Sequence, residues 1–253
     1  MRRRHWLAGL AGAAAGLHAA ADDEPYATGV WDDMKRQYLG TTEVAFDRAI
    51  VVQGPPFAED PMNVPVSVRV DPALGPVTMI SVLVDRNPIR HVLDFEPLAV
   101  LPSIGLRFKL EQASPVRAAV RLADGRWRFG ATWVDSSGGG CTVPGASRSD
   151  GSWTQTLGQV SGRLFDGGER SGARLRLRVM HPMDTGLAAG IPAFYVNRLS
   201  LQDGRGRELA RLATFEPVSE NPVLSFDFAS APEGGVRIVG SDNNGNRIDG
   251  RLR

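Results

Sequence analysis

The sequence predicts an all-β protein, and three features carry that prediction. Apolar residues recur at every second position in several short stretches, and turn-forming dipeptides separate those stretches. Glycine and proline are abundant, 29 and 17 of 253 residues, as suits many short strands joined by tight turns. Hydrophobic residues make up 42% of the chain, enough for a sizeable core, and the length suits one or two domains. Two groups of strands flank a Ser- and Gly-rich stretch. The expected architecture is two immunoglobulin-like β-sandwiches in tandem, preceded by a short N-terminal helix.

Residues 1–21 read as an export leader. Arg2-Arg3-Arg4 is the charged region, residues 6–17 are apolar, and Ala19-Ala20-Ala21 is a small-residue cleavage site before Asp22. Arg3-Arg4-His5-Trp6-Leu7 also fits the twin-arginine pattern, so a twin-arginine and an ordinary secretory leader are both open. Either route places the mature protein in the periplasm. The whole chain has 29 basic and 28 acidic residues, and the leader holds three of the arginines and no acid, so the mature chain becomes mildly acidic. No basic patch argues for nucleic acid, and no later apolar run reaches the ~18 residues of a membrane span.

In the mature chain, Trp31, Met34, Tyr38 and Leu39 fall on one helical face, with Gly40 as a stop. The period then changes to two. Strands are expected over residues 64–70, 77–84, 104–110 and 116–122. Asp124-Gly125 is a hairpin signal, and Trp127, Phe129, Ala131 and Trp133 line one face of the strand that follows it. This first domain spans residues 22–144. Residues 145–160 read as a linker. The second domain, 161–253, has strands expected near 173–179, 193–201, 207–215, 223–228 and 236–239, and a last one at the end of the chain. In the first of these, Ala173, Leu175, Leu177 and Val179 face inward and Arg174, Arg176 and Arg178 form the solvated face.

Cys141 is the only cysteine, and it stands in Ser136-Ser137-Gly138-Gly139-Gly140-Cys141-Thr142-Val143-Pro144-Gly145. It cannot form an internal disulfide. No apolar run surrounds it, so the strap is expected to be exposed and mobile, with Gly138, Gly139 and Gly140 as a flexible arm. The seven residues from Val134 to Cys141 could reach on the order of 23–25 Å if extended. Such a thiol should react like a small free thiol and could link two copies by a disulfide. The nearest charges, Asp135 and Arg148, cancel, so only modest activation is expected. Met180-His181-Pro182-Met183 offers two thioethers and an imidazole, donors that suit copper(I); its plainer reading is a strand end and a turn. Asp242-Asn243-Asn244-Gly245 reads as a turn, because the downstream glutamate of a calcium loop is absent.

The first domain resembles SoxY, a subunit of the bacterial sulfur-oxidation carrier. The resemblance rests on the leader, the N-terminal helix, Leu83-Val84-Asp85-Arg86-Asn87-Pro88, Arg121-Leu122-Ala123-Asp124-Gly125 and the strand that runs into Gly-Gly-Cys. The second resembles SoxZ, through Val179-Met180-His181-Pro182-Met183-Asp184-Thr185-Gly186, Ile191-Pro192-Ala193-Phe194-Tyr195, Ser219-Glu220-Asn221-Pro222 and Asp242-Asn243-Asn244-Gly245. Taken whole, the chain is most similar to the fused quinoprotein dehydrogenase-associated SoxYZ-like carriers. The resemblance implies that Cys141 is the covalent attachment point for sulfur intermediates and Gly138–Gly140 the arm. The sequence departs from that family after the cysteine, where Thr142-Val143-Pro144 replaces the trailing glycines and the chain continues. The expected function is therefore a non-enzymatic carrier, without cofactor, that shows a sulfur-containing or thiol-reactive cargo to periplasmic enzymes. An accessory module of a quinoprotein alcohol dehydrogenase system and a copper-handling protein using Met180, His181 and Met183 are the alternatives.

Overall fold

The computed structural model describes residues 24–151, 153–167 and 172–253. The leader expected over 1–21 lies outside them. The first unit opens with helix α1 (Trp31–Met34), which continues as a wider π turn over Lys35–Leu39 and stops at Gly40 in the left-handed conformation. Strands β1 (Val44–Phe46), β2 (Ile50–Gln53), β3 (Phe57–Ala58), β4 (Val64–Val70) and β5 (Val77–Val84) follow. Then come β6 (His91–Glu96), β7 (Ser103–Phe108), β8 (Ser114–Leu122) and β9 (Trp127–Ser136). Short helices α2 (Ser147–Asp150) and α3 (Trp153–Thr156) lead to the second unit. It contains β10 (Val160–Asp166), β11 (Ala173–Val179), β12 (Val196–Gln202), β13 (Glu208–Thr214), β14 (Val223–Phe228), β15 (Val236–Asp242) and β16 (Arg247–Leu252).

The fold is all-β and sandwich-like, as expected. The two units are nevertheless joined edge to edge. One sheet runs β1-β9-β8-β5-β6-β13-β12-β15-β16, and the other runs β10-β11-β14-β7-β4-β2. In each sheet one antiparallel pairing crosses from unit to unit. Leu212 stands opposite Phe95 in the first, and Phe226 opposite Ile104 in the second. Between the sheets the Phe95 and Phe226 rings meet at 5.7 Å, and one apolar core runs through both halves. The stretch read as a linker, 145–160, is thus not a slack tether: it folds into α2 and α3 and begins β10.

Period-two patterning explains most strands. In β4, Val64, Val66, Val68 and Val70 are buried while Pro65 is exposed, and β11 buries Ala173, Leu175, Leu177 and Val179 beneath its outward arginines. β8 departs from alternation because both its faces are covered. Val116, Ala118 and Val120 point into the sandwich, and Ala119 packs under the N-terminal helix against Trp31, Met34 and Phe129. Arg117 shares that second face and is fully buried. Its guanidinium makes a bidentate pair with Asp85 at 2.8 and 2.9 Å, donates to the Tyr26 carbonyl at 2.9 Å and lies 4.7 Å from the Trp31 ring. Removing one member of a buried pair strands the other charge. Asp85→Ala is expected to cost about 3–5 kcal/mol in urea unfolding, whereas Arg121→Ala, at the exposed end of β8, should stay within about 0.5 kcal/mol. Equal losses from the two would show that the Arg117 pair is not what fastens the N-terminal segment.

Candidate functional site

β9 delivers the chain to Cys141. Beyond Ser136, Gly138 and Gly139 take φ values of 95° and 87°, which residues with a Cβ rarely adopt. The Gly139 amide donates to the Glu111 carbonyl at 3.1 Å and the Gly140 amide to the Leu110 carbonyl at 3.3 Å. A Cβ on Gly140 would lie 2.2 Å from the Pro61 oxygen and 2.7 Å from the Leu110 oxygen. Gly138 and Gly140 serve close backbone approach, and Gly139 serves the left-handed turn. The expected mobile, exposed arm is not what the structure holds: Cys141 is 1% exposed.

The shelf beneath the thiol is residues 109–111, and Asn87 fastens it. The Asn87 amide donates to the Lys109 carbonyl at 2.7 Å, and its oxygen accepts from the Glu111 amide at 2.8 Å. The Cys141 amide donates to the Glu111 carboxylate at 2.8 Å, and the thiol reaches the Lys109 carbonyl at 3.6 Å. Thr142, exposed above it, donates through its hydroxyl to the same carboxylate at 3.1 Å. The second unit closes the other side, where the Thr185 hydroxyl donates to the Cys141 carbonyl at 2.6 Å. Lys109 is 2% exposed and donates through Nζ to the Met183 carbonyl.

A cap follows the cysteine. Thr142, Val143 and Pro144 form an exposed turn, and Gly145 is buried. The Ser147 amide donates to the Glu220 carboxylate at 2.8 Å. Arg148 pairs with the buried Asp184 carboxylate and lies 4.6 Å from the Trp153 ring. Both carboxylates belong to the second unit, which therefore latches the chain downstream of the thiol.

The electrostatics follow from burial. Burial pushes the Cys141 thiol up to about 12, the Glu111 carboxylate adds to the rise, and Lys109 opposes it. The thiolate fraction at pH 7 is then on the order of 10⁻⁵. Burial likewise lowers the Lys109 ammonium, opposed by Cys141, Asp184 and Glu220. The closed site holds a protected thiol.

Met180, His181 and Met183 do not converge as a set of open donors. His181 Nδ1 accepts from the Met183 amide at 3.0 Å, and the Met183 sulfur accepts from the Val196 amide at 3.2 Å. The block instead forms the second unit's wall of the site, with Met183 in the left-handed conformation at φ 51°. His181 Nε2 faces Asp242 at 3.4 Å without a hydrogen bond of good geometry. Burial lowers its pKa to about 4, against the opposing pull of Asp242 and Asp184, so the ring is neutral and the contact is not an ion pair at pH 7. Asp242-Asn243-Asn244-Gly245 is the expected turn, closed by the Gly245 amide on the Asp242 carbonyl.

Residues 35–141 match the family described as Sulfur oxidation protein SoxY, and residues 168–252 match Sulphur oxidation protein SoxZ. The chain is a SoxY-like domain fused to a SoxZ-like one. The first match ends on Cys141. The structure of the sulfur carrier protein SoxY from Chlorobium limicola f thiosulfatophilum is similar at 23% identity, over 44% of this chain and 99% of that one, with a TM-score of 0.38. No curated protein matches the chain. Among the described residues no helix is long and apolar enough to cross a membrane.

The sequence reading found Cys141 and its glycines but missed Asn87, Lys109, Glu111, Thr185 and Glu220 as its surroundings. In the strand expected over residues 104–110, Lys109 has the outward parity, between Phe108 and Leu110, and so reads as solvated. The SoxZ-like domain covers it. The one available signal was that Lys109 is one of only two lysines in the chain.

Two expectations follow. Native Cys141 should react with a thiol reagent at least about 100-fold more slowly than a small free thiol, given its thiolate fraction. Arg148→Ala with Glu220→Ala, which removes both latch contacts, should restore much of the rate. Fast labelling of the native protein, or no change on loosening the latch, would sink the capped-thiol reading. For His181, the folded pKa lies below the usual 6.5, so the unfolded chain takes up the proton first. The associated stability is present above pH 6.5 and is lost as pH falls toward 4, by about 3 kcal/mol. His181→Asn should flatten that part of a stability–pH curve measured by urea unfolding.

Proposed function

We propose that the chain is a periplasmic, non-enzymatic carrier that binds a sulfur-containing or other thiol-reactive cargo on Cys141. The supporting observation is the position of Cys141: it ends the SoxY-like match and is gripped by both domains, by Glu111 and Lys109 on one side and Thr185 on the other. On this reading the closed form is the storage state. The cap shields a lone thiol from oxidation in an oxidising compartment. Releasing Ser147 from Glu220 and Arg148 from Asp184 would lift the strap off its shelf. Away from burial and the Glu111 carboxylate, the thiol returns toward its usual 9.0, and its thiolate fraction rises about 1,000-fold. The thiolate, its proton lost to solvent, takes over an electrophilic cargo atom by exchange, the group that held it leaving with the bonding electron pair, and partner enzymes act on the adduct while the strap is open. Because the strap is held at both ends, its excursion is shorter than that of a free arm.

One observation favours a second reading. Cys141 is packed like a small apolar side chain, and the chain continues beyond it. That suits an accessory module of a quinoprotein dehydrogenase system, with the cysteine as packing. Intact mass of the protein purified from its native host separates the two. A discrete added mass on Cys141, absent from a folded Cys141→Ser protein that fails to complement a deletion strain, is expected of the carrier. Full complementation by Cys141→Ser at normal abundance would assign the accessory role.

A further inference from the structure

The outer face of the sheet β10-β11-β14-β7-β4-β2 carries an unbalanced row of arginines. Arg163 on β10 stands directly opposite Arg176 on β11, which in turn stands opposite Ser225 on β14, and Ser225 opposite Gly105 on β7. Arg178 lies two residues along the same face of β11 as Arg176, and Arg107 two residues along β7 from Gly105. Like charges opposed across a strand pair destabilise it. Arg174 on this face is balanced by Asp227 at 2.7 Å. Among the described residues, Arg107, Arg163, Arg176 and Arg178 form no ion pair with a carboxylate. Arg163 lies near the Phe165 ring, at 5.8 Å, and Phe165 is itself 46% exposed.

These four arginines line one cleft of about 590 Å³, in which Glu220 is the single acid among the described residues. Glu220 is already engaged by the Ser147 amide. Ala146, in the cap over Cys141, forms part of the same wall. Arg163 and Arg176 sit on neighbouring strands ~4.8 Å apart, Arg176 and Arg178 at alternate positions along β11, and Arg107 two strands beyond β11. That spacing suits several carboxylates on an extended chain better than one compact anion, and guanidinium–carboxylate pairing is the matching chemistry.

We propose that this face docks an acidic segment of a partner protein, its carboxylates paired with Arg107, Arg163, Arg176 and Arg178 and an apolar side chain against Phe165. The docking follows from the arginine row alone. Its meaning for Cys141, that a partner bound here lies against the cap, rests on the carrier reading.

The test uses fluorescein-labelled decaglutamate as the probe and fluorescence anisotropy at low and physiological salt, on the folded mature chain and its Cys141→Ser form. An Arg163→Gln, Arg176→Gln, Arg178→Gln variant is expected to bind at least tenfold more weakly. A control of equal charge change, Arg121→Gln, Arg126→Gln, Arg205→Gln, should change less than twofold, with both variants matching the parent in thermal unfolding. Equal losses in the two variants, or none in the first, overturn the proposal. Saturable displacement by sulfate at constant ionic strength overturns it in favour of a small-oxyanion site. Binding that is the same with and without the Cys141 thiol supports docking even if the carrier reading fails.

Discussion

The site depends on the two strand pairings that carry the sheets from the SoxY-like domain into the SoxZ-like one. β6 with β13 and β7 with β14 place the end of β7 beside the turn at Met183. Without them nothing from the SoxZ-like domain would cover Lys109 or Cys141. With them, Lys109 is buried against the Met183 carbonyl and Thr185 reaches the Cys141 carbonyl. The interface is continuous sheet and core, so relative motion of the domains is costly. Motion is cheapest in the short cap, which is held by a few polar contacts at Glu220 and Asp184.

Glycine has two uses that sequence alone does not separate. It loosens a chain, and it lets two backbones approach. Here approach wins, because the Pro61 and Leu110 oxygens occupy the space a Gly140 side chain would need. The same substitution of meaning applies to Asn87. In Asp85-Arg86-Asn87-Pro88 it looks like turn chemistry, yet its side chain holds the Lys109 carbonyl and the Glu111 amide together. A turn residue thus sets the shelf on which the thiol rests, and the shelf's burial and carboxylate set the thiol's acidity.

Local pattern was enough for the β class, the helix with Trp31 and Met34 inward, the strands with clear alternation and the hairpin at Asp124-Gly125. Strands β1, β2, β3, β6 and β10 were not read. They are short or carry little alternation, and β10 mixes Ser, Gly and Arg so that it resembles a linker. The inward set of β11 was legible, but its arginines became a charged row only when β10 brought Arg163 opposite Arg176.

By itself the sequence singled out Cys141, since a lone cysteine among glycines needs no fold to be noticed, and determined which short segments become strands, since period-two burial is a local property. Only the tertiary structure decided the state of that cysteine. Exposure, acidity and restraint are set by groups distant in sequence: Asn87, Lys109 and Glu111 below it, Thr185 and Glu220 from the other domain. Burial is a sum over everything packed nearby, and no local pattern around Cys141 contains those terms.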